Sequence, residues 1–122
     1  LDYIYPLCTS ISLDFGIMEK ADNVSVIPSS FGWSDLGTWN SIYDNIEKDF
    51  LGNAVAGENT LIIDARDSIV HSSNDKLIVL QGLQNCIVVD TDDVLLICKR
   101  DKEQEIKDYV AEVRRNKGDK YL

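Results

Sequence analysis

A single histidine, His71, stands in the whole sequence. That excludes a metal cage of several imidazoles, and a histidine-dependent triad would have to be built around this one position. His71 is read as a strand residue, because no base and nucleophile pair can be identified around it. Cysteine is equally sparse: Cys8, Cys86 and Cys98 are an odd number, and no two have the spacing of a zinc or redox pair. Cys86 and Cys98 lie in apolar runs, where a reduced thiol packs as a small hydrophobe. A reducing, cytoplasmic compartment is expected. Basic residues are outnumbered 12 to 21, for a formal charge of −9. The balance argues against tight nonspecific attachment to nucleic acid or to an anionic membrane, since that draws on clustered Lys and Arg. No run approaches the ~20 apolar residues needed to cross a bilayer. Neither type of glycine-rich nucleotide loop is present.

What remains is an ordinary globular composition, 44% hydrophobic and 27% charged, with enough chain to bury a core without disulfides. Leu13, Ile17 and Ala21 recur at helical spacing and Ser12 is placed to cap them, which predicts a helix from Ser12 to Ala21. Val24, Val26 and Ile27 predict a brief extended run that Pro28 ends. Ser29 to Trp39 reads as a loop. Thr38 is placed to cap a helix from about Trp39 to Glu47, with Trp39, Ile42, Tyr43 and Ile46 on one face. Gly52 and Gly57 mark the exit from it.

After Gly57 five β-rich runs follow one another: Leu61 to Ile63, Ser68 to His71, Leu77 to Leu80, Cys86 to Val89 and Val94 to Cys98. Turn-forming pairs separate several of them, as in a small all-β module. The loose regularity points to a coiled β-solenoid or a β-roll, since stacked rungs bury a core that no single rung could. Asp101 is expected to cap a last helix to about Asn116, striped by Ile106, Tyr109, Val110 and Val113. Asp90, Asp92 and Asp93 read either as a calcium cluster or as a solvated acidic turn, and Lys99, Arg100 and Lys102 as a solvated basic turn.

The densest chemistry is in FGWSDLGTW, residues 31–39. Asp35 is followed by Gly37, which permits close backbone approach, and by a helix N-terminus, whose amides favour anions. Such a loop could hold phosphate and a hard cation together, or Asp35 could simply cap the next turn over Trp33 and Trp39. The residues alone leave both readings open.

The stretch SISLDFGIMEKADNVSVIPSSFGWSDLGTW, from Ser10 to Trp39, resembles the segment of mannose-1-phosphate guanylyltransferases in which a "SIDYAVMEKA"-like helix precedes a "GWSDLGSW"-like loop. The remainder, with GNAVAGENTLIIDARDSIVHSS and LIVLQGLQNCIVVDTDDVLLICKR in order, resembles that family's C-terminal module. Leu13, Phe15 and Gly16 depart from the usual helix pattern and leave its polar positions intact.

The resemblance implies an enzyme that joins mannose 1-phosphate to GTP with Mg2+, giving GDP-mannose and pyrophosphate. It makes Asp35 one of two metal carboxylates and the catalytic residue of this segment, with Trp33, Gly37 and Thr38 beside it. Asp14, Glu19 and Lys20 match the helix motif, in a sugar-facing or a structural role. The second carboxylate and the nucleotide loop would lie upstream of Leu1, which is not a methionine. The chain alone is therefore expected to be inactive.

The fold expected is α+β. Residues 1–56 would be the tail of a nucleotidyltransferase α/β domain. Residues 57–122 would be a small β-solenoid, left-handed and β-helix-like, with a terminal helix. One rival is a non-catalytic oligomerisation module, because open strand edges invite a second copy; a homo-oligomer is expected on either reading. Another is a cupin-type isomerase, which one histidine cannot supply with ligands.

Overall fold

The computed structural model describes residue 4 and residues 7–122, so the expected ordered start at Leu1 lies outside the described residues. They divide into two compact units, Leu1–Trp33 and Ser34–Leu122. Among the described residues no helix is long and apolar enough to cross a membrane.

The first unit holds a single helical turn, α1 (Leu13–Gly16), and a 3-10 turn over Met18–Lys20. Ser12 caps α1 as expected, its hydroxyl accepting the Phe15 N–H at 3.3 Å. The helix is shorter than the Ser12–Ala21 segment the spacing predicts. Leu13, Phe15 and Ile17 are each more than half exposed, so no buried apolar face offsets the cost of nucleating so short a helix. Val24–Ile27 joins no ladder among the described residues; Val26 and Ile27 stand more than four-fifths exposed.

The second unit begins with α2 (Trp39–Asn45) and continues into β1 (Ala54–Ala56), β2 (Thr60–Ile63), β3 (Ile69–Ser72), β4 (Ile78–Gln81), β5 (Cys86–Asp90) and β6 (Leu95–Lys99). All five expected runs are strands, displaced by a residue or so. β1 is an addition, an Ala-Val-Ala stretch too short and too weakly β-forming to stand out between two glycines.

Strands β1, β3 and β5 pair in parallel in one sheet, and β2 with β4 in another. A parallel bridge between Arg66 and Gln84 lies at a third position. Ala54 stands opposite Ile69, and Ile69 opposite Ile87, a step of 15 residues and then of 18. Thr60 and Ile78 repeat the step of 18. Successive turns of chain thus stack in register, and the parallel pairing selects the β-helix-like coil over the roll.

Alternation divides the side chains. Val70, Leu80 and Val88 fill the coil with Val55, Ile62, Ile78 and Leu83 around them. Ala54, Ile69 and Ile87 point outward onto Tyr43 of α2, with Trp39, Ile42, Ile46 and Cys98 at the margin. Each fully buried Ile or Val contributes roughly 1.5–3 kcal/mol.

The corners repeat too. Gly52, Asp67 and Asn85 each stand two residues before the Ala54, Ile69 and Ile87 line, and all three have positive φ, +79°, +53° and +54°. Asp and Asn tolerate this left-handed region better than other side chains. At Gly52 a Cβ would lie 2.8 Å from Asp67 Oδ1, so any other residue at this positive φ would also have to displace the Asp67 carboxylate.

Beside these corners Asn53, Ser68 and Cys86 form a buried column. The Asn53 amide donates to the Ala65 carbonyl at 2.8 Å and to Asp49 at 2.9 Å, and its oxygen accepts the Ser68 N–H at 3.2 Å. The Ser68 hydroxyl donates to the Arg66 carbonyl and accepts the Cys86 N–H. Burial pushes the Asp49 carboxyl upward, but bonds from the Asn53 side chain and from the Asn53 and Leu51 amides outweigh it and hold Asp49 below the usual carboxylate range.

Past β5 the chain reverses through a Thr91–Val94 hairpin, and β6 pairs antiparallel with β5. Asp92 and Asp93 are exposed there, but Asp90 is not solvated: it is buried and paired with Lys76 at 2.8 Å. The Lys76 bond is the main cause holding its carboxyl below the ordinary value, with burial opposing.

A 3-10 segment, Arg100–Glu105, leads into α3 (Ile106–Lys117). Asp101 lies inside this segment and does not cap α3. The chain enters α3 from Glu105, already in helical conformation, so no extended cap residue precedes it. Ile106 reaches the outer cluster, while Tyr109, Val110 and Val113 are a third or more exposed.

Replacing Asn53 by Ala strands the Ala65 carbonyl and the Ser68 amide. The variant is expected to unfold in urea with about 2–4 kcal/mol less stability; a loss under about 0.5 kcal/mol would show that water replaces the side chain.

Candidate functional site

The loop before α2 is fixed by the start of that helix. Thr38 is the N-cap: its hydroxyl accepts the Ser41 N–H at 3.1 Å, and the Ser41 hydroxyl accepts the Thr38 N–H at 3.1 Å. This reciprocal box satisfies two amides locally. The next amide is met from far along the chain, where Glu103 Oε2 accepts the Asn40 N–H at 2.8 Å. The amides that the loop was read as offering to an anion are therefore partly engaged.

Arg100 belongs to the same attachment. Its guanidinium lies 3.7 Å from the Tyr43 ring centroid, its carbonyl accepts from the Asn40 side chain at 3.4 Å, and Tyr43 donates its hydroxyl to the Gly52 carbonyl at 2.6 Å. Of the expected solvated basic turn, Lys99 and Lys102 are exposed, but Arg100 is half-buried on an aromatic face. Gly37, Thr38, Trp39, Glu103, Ile106 and Lys107 line a cleft of about 220 Å³ at this junction.

Asp35 is exposed in the loop, and the α2 cap is made by Thr38 in its place. A Cβ at Gly37 would lie 3.2 Å from Asp35 Oδ1, so glycine leaves the carboxylate its room. Asp14 lies in α1, Glu19 and Lys20 in the 3-10 turn, and all three are exposed. Trp33, 74% exposed, ends the first unit and lines a groove there with Ile27, Ser29, Ser30, Phe31 and Gly32. Asp14, Glu19, Lys20 and Trp33 thus fall in one unit, and Asp35, Gly37 and Thr38 in the other.

Among the described residues no three His, Cys, Asp or Glu side chains gather at metal-binding distance. Mg2+ takes one or two carboxylates and completes its shell with water and substrate phosphates. An exposed Asp35 fits one arm of such a shell. His71 packs its ring 6.0 Å from that of Trp39. Cys86 is buried, and burial chiefly, with Cys86 and Glu103 nearby, pushes the Cys98 thiol upward, as suits packing thiols.

Sequence reasoning missed Glu103 and Arg100. Their partner Asn40 is 60 or more residues away, and no local pattern links them.

Residues 58–113 match the family model described as "MannoseP isomerase/GMP-like beta-helix domain", in keeping with the stacked parallel strands of this segment. The flanking chain extends the relationship. The alginate biosynthesis protein AlgA of Pseudomonas putida is 39% identical over 87% of this chain and 21% of its own length. Mannose-1-phosphate guanylyltransferase RfbM of Salmonella typhimurium is 35% identical over 93% of this chain and 23% of its own. A crystal structure from Thermus thermophilus, described as a mannose-1-phosphate geranyltransferase, superposes with a TM-score of 0.75 at 27% identity, over 93% of this chain and 34% of that one. The chain is thus similar to proteins named as mannose-1-phosphate guanylyltransferases, the family that the loop and helix motifs resemble, and spans about a fifth to a quarter of the curated relatives' length.

Thr38→Ala removes the cap and is expected to cost about 1 kcal/mol in urea unfolding, with Thr38→Ser close to wild type. Equal stability of all three proteins would transfer the capping role to Glu103 alone.

Proposed function

We propose that this chain forms the acceptor-side portion of a mannose-1-phosphate guanylyltransferase, working within a longer polypeptide that transfers GMP from GTP to mannose 1-phosphate. The observation that carries the reading is the loop: Thr38 caps α2, so Asp35 is left exposed with Gly37 clearing space beside it. The relationship to RfbM over 93% of the chain supports the same substrates, GTP and mannose 1-phosphate.

In this reading Asp35 provides one carboxylate for Mg2+, and Trp33, Gly37 and Thr38 shape the sugar-phosphate side. Bound Mg2+ would neutralise phosphate charge and align the reacting groups. Asp14, Glu19 and Lys20 face the sugar or serve a structural role. Residues 1–56 act as the tail of the nucleotidyltransferase domain, and residues 57–122 as a left-handed β-solenoid with its helix. The chain alone lacks a nucleotide loop and is inactive. The compartment is cytoplasmic, with no nucleic-acid or membrane partner.

Asp35→Asn in the full-length protein is expected to lower Mg2+-dependent GDP-mannose formation by about a hundredfold or more, with unchanged circular dichroism. Near-normal turnover would remove Asp35 from the chemistry.

An assembly role stands beside catalysis. Leu61, Ile63 and Val79, with 50%, 46% and 52% of their surface exposed, make the outer face of the β2–β4 sheet apolar. That face suits a homo-oligomer contact. Leu61→Asp with Val79→Asp should convert an oligomer to a monomer in light scattering; an unchanged mass would place the contact elsewhere.

A further inference from the structure

We infer that Glu103, carried by the segment that closes the β coil, is a positioning residue for the Asp35 loop: it holds the N-terminus of α2 and so fixes where the loop's carboxylate lies. The inference rests on the function proposed above.

An α-helix begins with amides that have no partner within the helix. In α2 the Ser41 amide is served by Thr38, three residues back, but Thr38 does not serve the Asn40 amide. The acceptor for Asn40 comes from 63 residues further on, as the half-buried Glu103 carboxylate at 2.8 Å. A charged acceptor at a helix N-terminus forms one of the stronger hydrogen bonds and also meets the helix dipole favourably. The same 3-10 segment grips α2 twice more, through the Arg100 carbonyl on the Asn40 side chain and the Arg100 guanidinium on the Tyr43 ring.

The link from Asn40 back to Asp35 is short. Thr38 is locked to Ser41 by the capping box, and Gly37 sits so close under Asp35 that a methyl group there would lie 3.2 Å from its oxygen. Only Leu36 and Gly37 separate Asp35 from the capped Thr38, so a displaced helix start moves the short stem from which the carboxylate projects. Misplacement by about 1 Å costs a reaction of this positional kind roughly a hundredfold. The β module thus acts as a brace for the acceptor loop.

The test compares wild type, Glu103→Ala and Glu103→Gln in the full-length protein. Gln keeps an oxygen that can accept the Asn40 N–H and loses only the charge. In Glu103→Ala, KM for mannose 1-phosphate is expected to rise and kcat to fall, each by roughly tenfold or more, with KM for GTP within about twofold. Hydrogen exchange of the Asn40 amide should accelerate, and Glu103→Gln should recover most of both effects. A smaller folded fraction would lower kcat without moving either KM. Should Glu103→Ala fail to fold, Glu103→Asp draws the carboxylate back by one methylene and reads the same contact.

Wild-type kinetics in Glu103→Ala or Glu103→Asp, or a selective rise in KM that Gln does not relieve, would overturn the brace. A wild-type protein that forms no GDP-mannose would instead sink the functional reading, and the exchange rates would still report whether Glu103 holds the helix.

Discussion

A chain that coils into stacked parallel turns must change direction several times per turn while drawing its backbone amides and carbonyls away from water. Each such group left unpaired in the interior costs on the order of 1–3 kcal/mol. The column of Asn53, Ser68 and Cys86 answers this at the corner before the first sheet. Asn53 serves the Ala65 carbonyl and the Ser68 amide, and Ser68 serves the Arg66 carbonyl and the Cys86 amide, so each turn completes the hydrogen bonding of its neighbour. With the corners satisfied, β1, β3 and β5 can stay in register, and only in register do Val70, Leu80 and Val88 meet inside the coil.

The outer face of the same sheet carries the second half of the architecture. Ala54, Ile69 and Ile87 present a flat apolar surface on which Tyr43 lies. The 3-10 segment after β6 then returns to the start of α2, where Glu103 and Arg100 attach. Coil, helix and loop therefore form one mechanical path. This is why the geometry of the loop from Ser34 to Thr38 is better understood from the far end of the chain than from its own residues.

Legibility followed the range of the interactions. Thr38 and Ser12 were readable as caps because a cap and its amide are three residues apart, and the strands after Gly57 because β-branched residues cluster between turn formers. The first helix is shorter than the spacing suggests because helical spacing says nothing about whether a partner surface exists; Leu13 and Ile17 find none among the described residues of their unit. Asp101 was misread because a capping residue looks the same whether or not a 3-10 segment already carries the chain into the helix. Asp90 looked like one of three solvated acids, yet its side chain is buried against Lys76, 14 residues back. At the candidate site the loop's residues were legible from the motif, whereas Glu103 and Arg100 were not, since contacts across 60 residues leave no periodic trace.

The reversal at Thr91–Val94 has a bearing on how the coil ends. A stack of parallel turns is in principle endless, because each new turn offers the next an edge like the one it covered. By folding back antiparallel on β5, strand β6 hides that edge and shows a strand running the other way, its last residue a lysine. On this sheet a neighbouring molecule cannot simply continue the repeat, so growth into a filament is blocked at the very place where the repeat would favour it.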